Sequence, residues 1–221
     1  MEIRTTRPVT GFGLALAVFG IPLAVNGFRF FYGEVHSDLQ FLGKELLVFG
    51  VTALLLLVVV RGEKLPLASI GLHTRAVGRS ILWGLLAALL CLVAAFGINL
   101  LLHLFGAQLG HQDDNPYEPS RWLLLLTVLR AGVCEETCLR GYAIERLLSI
   151  TGNKWLALGL PLALFAVFHF RLGAAGVLVA LVLGAILTVF YWKRRDLLSN
   201  IIAHTLVDAV PNLLLPLFGV H

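Results

Sequence analysis

Long apolar runs separated by short polar segments dominate this chain. A transmembrane helix needs about 20 mainly apolar residues, because the hydrocarbon core of a bilayer is about 30 Å thick and an α-helix rises about 1.5 Å per residue. Seven segments meet this requirement, so the pattern predicts an all-α, polytopic membrane helix bundle. The segments are residues 9–31, 42–61, 77–106, 121–146, 154–171, 174–192 and 197–219. Pro211 and Pro216 predict a kink in the last segment, or its division into two helices, which would make eight.

Composition excludes most other classes of protein. Of the 221 residues, 58% are hydrophobic and 14% are charged, whereas a soluble domain carries about 25% charged residues. A soluble domain, a disordered chain and a nucleic-acid-binding arm are therefore excluded, and the net charge of +4 is not interpreted as a sign of nucleic acid binding. Three cysteines within apolar runs do not indicate a disulfide framework. The expected environment is the lipid bilayer, and residues 1–221 are expected to form one integral membrane domain.

The lysine and arginine residues of the tails and loops, counted with those near the ends of the seven segments, predict the orientation. Positive charges collect in cytoplasmic loops, and here eleven lie on the side of the N-terminus and three on the other side. The N-terminus is therefore predicted to be cytoplasmic and the C-terminus external.

Ionisable residues are concentrated in three of the predicted spans. Each costs about 2.5–3.5 kcal/mol to place in a membrane, which favours a functional reason for them. The candidate site residues are Glu135, Glu136, Arg140, His169, His204 and Asp208.

The spacing of these residues indicates acid–base chemistry. Glu136 and Arg140 stand at i, i+4 in the favourable order for an ion pair, while Glu135 is rotated about 100° from Glu136. His204 and Asp208 also stand at i, i+4. If the three helices converge, a carboxylate and two imidazoles can surround one water molecule, which suits either general-base or metal-assisted hydrolysis.

Other polar or reactive residues in the spans have simpler interpretations. Cys134 and Cys138 are expected to be small packing residues. Four ionisable residues lack partners at helical spacing and are interpreted as interface or snorkelling residues. They are Arg29, Glu45, His103 and Arg130.

Three motifs in order resemble the CPBP family, also called the Abi or type II CAAX protease family of intramembrane proteases. The family pattern of EExxxR, FxxxH and HxxxN or HxxxD is matched by residues 135–140, 165–169 and 204–208. The resemblance covers roughly residues 120–212, the expected catalytic core. It implies an endopeptidase that hydrolyses a peptide bond of a membrane-anchored peptide or protein, with prenylated CAAX proteins as the eukaryotic substrates. Because bacterial relatives process peptides or confer bacteriocin immunity, we expect a multi-pass protein of a prokaryotic cell membrane.

The resemblance also implies roles for the site residues. Glu135 and His169 would activate water, His204 and Asp208 would stabilise the oxyanion or complete the water site, and Glu136 with Arg140 would fix the helix. In the alternative assignment, Glu135, His169 and His204 hold a catalytic Zn²⁺. No compact HExxH motif is present, so both the metal-free and the zinc-dependent assignment stay open. No organic cofactor is expected.

Three other functions stay open at this point. The charged residues could form the proton relay of a transporter, or the chain could be a catalytically silent immunity or scaffold protein. A thiol protease using Cys134 or Cys138 is the remaining alternative.

One feature of the predicted topology conflicts with a shared site. His169 lies 15 residues after Lys154, or about 22 Å along an α-helix, whereas His204 lies about 10 Å from the same cytoplasmic face. A shallow hairpin formed by the fifth and sixth spans, or a fifth span that starts below the membrane, would bring the two histidines together.

Overall fold

Helices make up almost all of residues 7–73, 77–106 and 117–218, which are the residues that the computed structural model describes, and these ranges contain no β-strand. The predicted all-α helix bundle is therefore confirmed. The α-helices are α1 (Arg7–Tyr32), α2 (Asp38–Leu57), α3 (Val77–Leu104), α4 (Arg121–Arg130), α5 (Glu145–Thr151), α6 (Lys154–Val167), α7 (Gly173–Arg194) and α8 (Leu197–Ala209). Segments of π-helix occupy Val58–Gly62, Ala131–Ile144 and Val210–Leu214, and 3₁₀ turns occupy Leu67–Ile70, Phe170–Leu172 and Leu215–Phe218.

Five helices of the described chain are long and apolar enough to cross a membrane. Of the two exceptions, one carries three candidate site residues and the other ends two residues before His169. The continuous helix 121–151 is made of α4, the central π segment and α5. It contains more charged residues than any of the five apolar helices that could cross a membrane. Helix α6 has only 14 residues, or about 21 Å, which is shorter than a hydrocarbon core of about 30 Å. A multi-pass membrane protein follows from this arrangement.

Side-chain caps and left-handed residues define the helix ends near the site. The side chain of Asn153 accepts hydrogen bonds from two backbone amides and begins α6, and that of Asp196 accepts one from Ser199 and begins α8. Gly152 ends α5 with a φ of 63°, which glycine adopts without steric cost. Beyond α8, the chain passes directly into π and 3₁₀ geometry around Pro211 and Pro216. The last segment is therefore not divided into two separate helices, and the kink stays a prediction.

The helix 121–151 lies at the centre of the fold. Its π segment is buried at every residue except Val133 and Glu135, and Tyr142 and Leu139 pack in the main core with residues of α1, α2 and α8. Gly132 allows α8 to approach closely, because a Cβ atom there would lie only 3.0 Å from the carbonyl oxygen of Ile201. This approach places the glutamates of the π segment beside the histidine of α8.

The orientation across the membrane is a prediction from the loop charges, of which Arg4 and Arg75 lie outside the described residues. Reporter fusions placed after residues 70 and 196 should both report the cytoplasm, because both positions lie on the side with the excess of lysine and arginine. An external signal at either position would contradict this orientation.

Candidate active site

Glu136 is a fully buried carboxylate that joins the helix 121–151 to α8. Its Oε1 atom accepts hydrogen bonds from Arg140 Nη1 at 2.9 Å and from His204 Nδ1 at 2.7 Å, and its Oε2 atom accepts one from Asn200 Nδ2 at 3.0 Å. The predicted ion pair with Arg140 is present. The contacts with His204 and Asn200 were not predicted, although Asn200 precedes His204 by four residues and so lies on the same face of α8.

Arg140 extends this network to α6 and α7. Its guanidinium lies 4.3 Å from the centre of the Phe165 ring and donates a hydrogen bond of 3.4 Å to the carbonyl oxygen of Gly184. Arg140 is only 1% exposed, and its guanidinium contacts a carboxylate, an aromatic face and a carbonyl oxygen in place of water. Such a network fixes the helices around the site.

The seven-span pattern predicted that His169 lies on a helix. It lies instead in the turn after α6. Its Nδ1 atom is 2.7 Å from the carbonyl oxygen of Phe165, and the two side-chain rings are 4.7 Å apart. A carbonyl oxygen only accepts hydrogen bonds, so Nδ1 carries the proton. In the neutral ring, Nε2 is then the nitrogen with a free lone pair.

His204 and Asp208 lie on one face of α8, as predicted. The Nε2 atom of His204 is 3.6 Å from Asp208 Oδ2, which is close enough for an ion pair but too long for a hydrogen bond. Glu136, at 2.7 Å from Nδ1, is the residue that orients the His204 ring. The side chain of Asp208 is 33% exposed, compared with 8% for His204.

Glu135 has a different partner from its neighbour. Arg130 donates a hydrogen bond of 2.9 Å to Glu135 Oε1 and another of 2.8 Å to Glu45 Oε2. The interpretation of Arg130 and Glu45 as isolated interface residues is therefore wrong. Residues 130 and 135 are five apart, and they meet where the helix changes from α to π geometry, in which hydrogen bonds run from i to i+5.

One cavity of about 730 Å³ contains four of the six candidate site residues. They are Glu135, His169, His204 and Asp208. The other two, Glu136 and Arg140, lie behind its wall and contact the lining residues from within the core. The short α6 and the turn after it bring His169 to the wall of this cavity.

Comparison with known proteins supports the relationship that the three motifs indicate. Residues 117–210 match the family model described as type II CAAX prenyl endopeptidase Rce1-like. This segment is therefore similar to that family. No curated protein and no solved structure matches the chain. The matched segment begins just before α4 and ends just after α8, so it contains all six candidate residues.

The predicted zinc ligands do not form a metal site as their side chains stand. Within the described ranges, no three His, Cys, Asp or Glu side chains are grouped so that they could hold a metal ion, and this includes Glu135, His169 and His204. Glu135 is instead bound to Arg130, and His204 to Glu136. These side chains would have to rearrange to hold Zn²⁺, and the metal assignment stays a prediction.

The two cysteines beside the glutamates are fully buried free thiols, and neither lines the cavity. Cys138 contacts Thr52 of α2 at 4.0 Å. Replacing Cys134 and Cys138 together by alanine should leave most of the cleavage rate, because water activation needs no thiol. The check is a comparison of cleavage rates with the wild type at equal amounts of folded protein. Complete loss of activity would favour the thiol mechanism.

Proposed function

We propose that this protein is an intramembrane endopeptidase that hydrolyses a peptide bond of a membrane-associated, CAAX-like substrate. The observation that carries the proposal is the single cavity that Glu135, His169, His204 and Asp208 line from three separate parts of the chain. The family match supports a CAAX-type protease. The cavity volume of about 730 Å³ falls in the range of about 300–1,000 Å³ that is usual for ligand sites.

Glu135 and His169 are the groups that activate water in this proposal. The Glu135 carboxylate and the Nε2 lone pair of His169 can both accept a proton from a water molecule in the cavity. The hydroxide then adds to the carbonyl carbon of the scissile bond, and the proton passes to the leaving nitrogen as the carbon–nitrogen bond breaks. The products are one new carboxylate and one new amine.

His204 stabilises the negative oxygen of the tetrahedral intermediate. Glu136 accepts a hydrogen bond from Nδ1, so the ring orientation is fixed before substrate binds. When both ring nitrogens carry protons, Nε2 is free to donate to the oxyanion, which is an arrangement of pre-oriented donors. Arg140 and Asn200 act indirectly, because they hold the Glu136 carboxylate.

The experiment is a cleavage assay in proteoliposomes with a peptide that carries a fluorophore–quencher pair. A prenylated and an unprenylated form of the peptide are compared, and products are identified by mass spectrometry. Wild-type protein should cleave the prenylated peptide at one bond, and Glu135→Ala should not. A rate that a divalent-metal chelator abolishes would assign the chemistry to a metal site.

Each negative result of this cleavage assay favours a different function. Equal cleavage of the two peptides would remove the prenyl requirement but keep the peptidase. If no membrane-anchored peptide is cleaved and the vesicles instead show proton flux that depends on Glu135, the transporter function replaces this proposal. Partner binding that survives Glu135→Ala in a protein without cleavage would favour a scaffold.

Asp208→Asn should lower kcat less than about tenfold, compared with at least about 10²-fold for loss of a general base. The amide keeps the shape of the carboxyl group. The distance of 3.6 Å from His204 Nε2 also shows that Asp208 does not hold the ring by a hydrogen bond. The measurement is kcat for Asp208→Asn and wild type on the same substrate. A loss as large as that of Glu135→Ala would show that Asp208 takes part directly.

A further inference from the structure

Three charged side chains form a continuous hydrogen-bonded array from the core of α2 to the cavity. Glu45 of α2 binds Arg130 of α4 at 2.8 Å, and Arg130 binds Glu135 of the π segment at 2.9 Å. Glu45 is fully buried, whereas Glu135 lines the cavity. The array therefore connects the candidate catalytic carboxylate with a helix outside the matched residues 117–210.

Burial makes this array costly as a purely structural feature. Replacement of a buried ion pair by apolar residues of similar volume is often neutral or stabilising, so packing of α2 against α4 does not require charges. The Oε1 atom of Glu45 has no hydrogen-bond partner, and its nearest cation is Lys44 Nζ at 3.2 Å. The carboxylate of Glu45 thus accepts its hydrogen bond from Arg130 through Oε2, and its ion pair with Lys44 is made through Oε1.

Arg130 also restricts the side-chain conformation of Glu135. A glutamate side chain has several rotatable bonds and loses rotamer entropy when it is fixed, and Glu135 faces open cavity space and not the packed core. Arg130 holds one of its oxygens and leaves the other for water. Glu45 in turn holds the guanidinium through its Nε atom.

We propose that Arg130 is a positioning residue for Glu135 and that Glu45 acts through Arg130. This inference rests on the proposed peptidase function. It predicts that loss of the array lowers kcat and leaves KM unchanged, since neither residue needs to contact the substrate for the effect. A misplaced catalytic group can cost up to about 10²-fold in rate.

The first test compares variants in the prenylated-peptide assay. Arg130→Ala alone leaves Glu45 buried without its partner and could unfold the protein, so the informative variant is the double substitution Glu45→Leu, Arg130→Met. It should keep the wild-type melting temperature, lose at least about tenfold in kcat and keep its KM. Arg130→Lys should recover part of the lost kcat, because a lysine retains the positive charge.

The matched control is Arg195→Met. This substitution breaks an ion pair with Glu145 that lies outside the cavity, and it should leave kcat at the wild-type value. A folded double variant with wild-type kcat, in an assay where Glu135→Gln is inactive, overturns the positioning role and leaves the proposed function intact. Wild-type cleavage by Glu135→Gln overturns the proposed function instead.

A second measurement does not depend on activity. Dicyclohexylcarbodiimide reacts with carboxyl groups inside membranes, and tandem mass spectrometry locates the product on individual residues. Glu135 should react faster in the Glu45→Leu, Arg130→Met variant than in wild type, because the oxygen that Arg130 covers becomes free. An unchanged labelling rate at Glu135 would show that Arg130 does not hold it, and would overturn the proposal even if no substrate were cleaved.

Discussion

Alanine at Glu135, His169 or His204 is expected to lower kcat by at least about 10²-fold, which is the low end of general acid–base catalysis. Each substitution removes a side chain that lines the cavity and, in the proposed reaction, touches the water or the oxyanion. The measurement is kcat and KM for each variant in proteoliposomes. His103→Ala is the matched control, because it removes an exposed histidine of α3 outside the cavity.

Combinations of these substitutions give a second result. Residues that act as one unit show losses that do not add, so Glu135→Ala with His169→Ala should be little worse than the more damaging single variant. Rate losses that multiply would show that the two side chains act at separate steps and would contradict a shared water.

Glu136→Ala is expected to act on stability, with a loss of about 3–5 kcal/mol. The substitution removes the carboxylate that contacts both Arg140 and His204, and it leaves Arg140 buried with only a carbonyl oxygen and an aromatic face. The measurement is the melting temperature of detergent-purified protein, followed by fluorescence of a thiol-reactive dye.

The matched control for this effect is Glu34→Ala. Glu34 pairs with Arg29, and both side chains are more than one-third exposed. Exposed ion pairs contribute about 0–1 kcal/mol, so this variant should melt close to the wild-type temperature. Equal effects of the two substitutions would contradict the special role of burial at Glu136.

The positions of the helices could be predicted from hydropathy because a bilayer imposes a length and an apolar composition on every spanning helix. The predicted seven segments correspond to the seven helical segments of the described chain, and most boundaries agree within a few residues. The fifth is the informative exception. The predicted segment continues to residue 171, but the helix ends at Val167, because hydropathy does not distinguish the last turn of a helix from a turn that contains apolar residues.

The site could be predicted only as far as α-helical spacing applies. The pairs Glu136–Arg140 and His204–Asp208 follow from i, i+4 spacing. The pair Arg130–Glu135 does not, because it depends on a change to π geometry for which the hydrophobic pattern gives no signal.

Contacts between distant parts of the chain were also beyond the sequence pattern. Glu45 and Arg130 are 85 residues apart, and Glu136 and His204 are 68 apart. Glu45 lies in an apolar run of α2 without a partner at helical spacing. A buried carboxylate of that kind indicates that a cation packs against it, but it does not say which one.

The central claim is that Glu135 activates water for peptide hydrolysis, and the Glu135→Gln variant tests it most directly. The amide keeps the size of the side chain and can still accept a hydrogen bond from Arg130, but it cannot serve as a general base. With equal amounts of folded protein in proteoliposomes, we predict that Glu135→Gln cleaves the prenylated peptide at least about 10²-fold more slowly than wild type. Cleavage by Glu135→Gln at the wild-type rate would contradict the account.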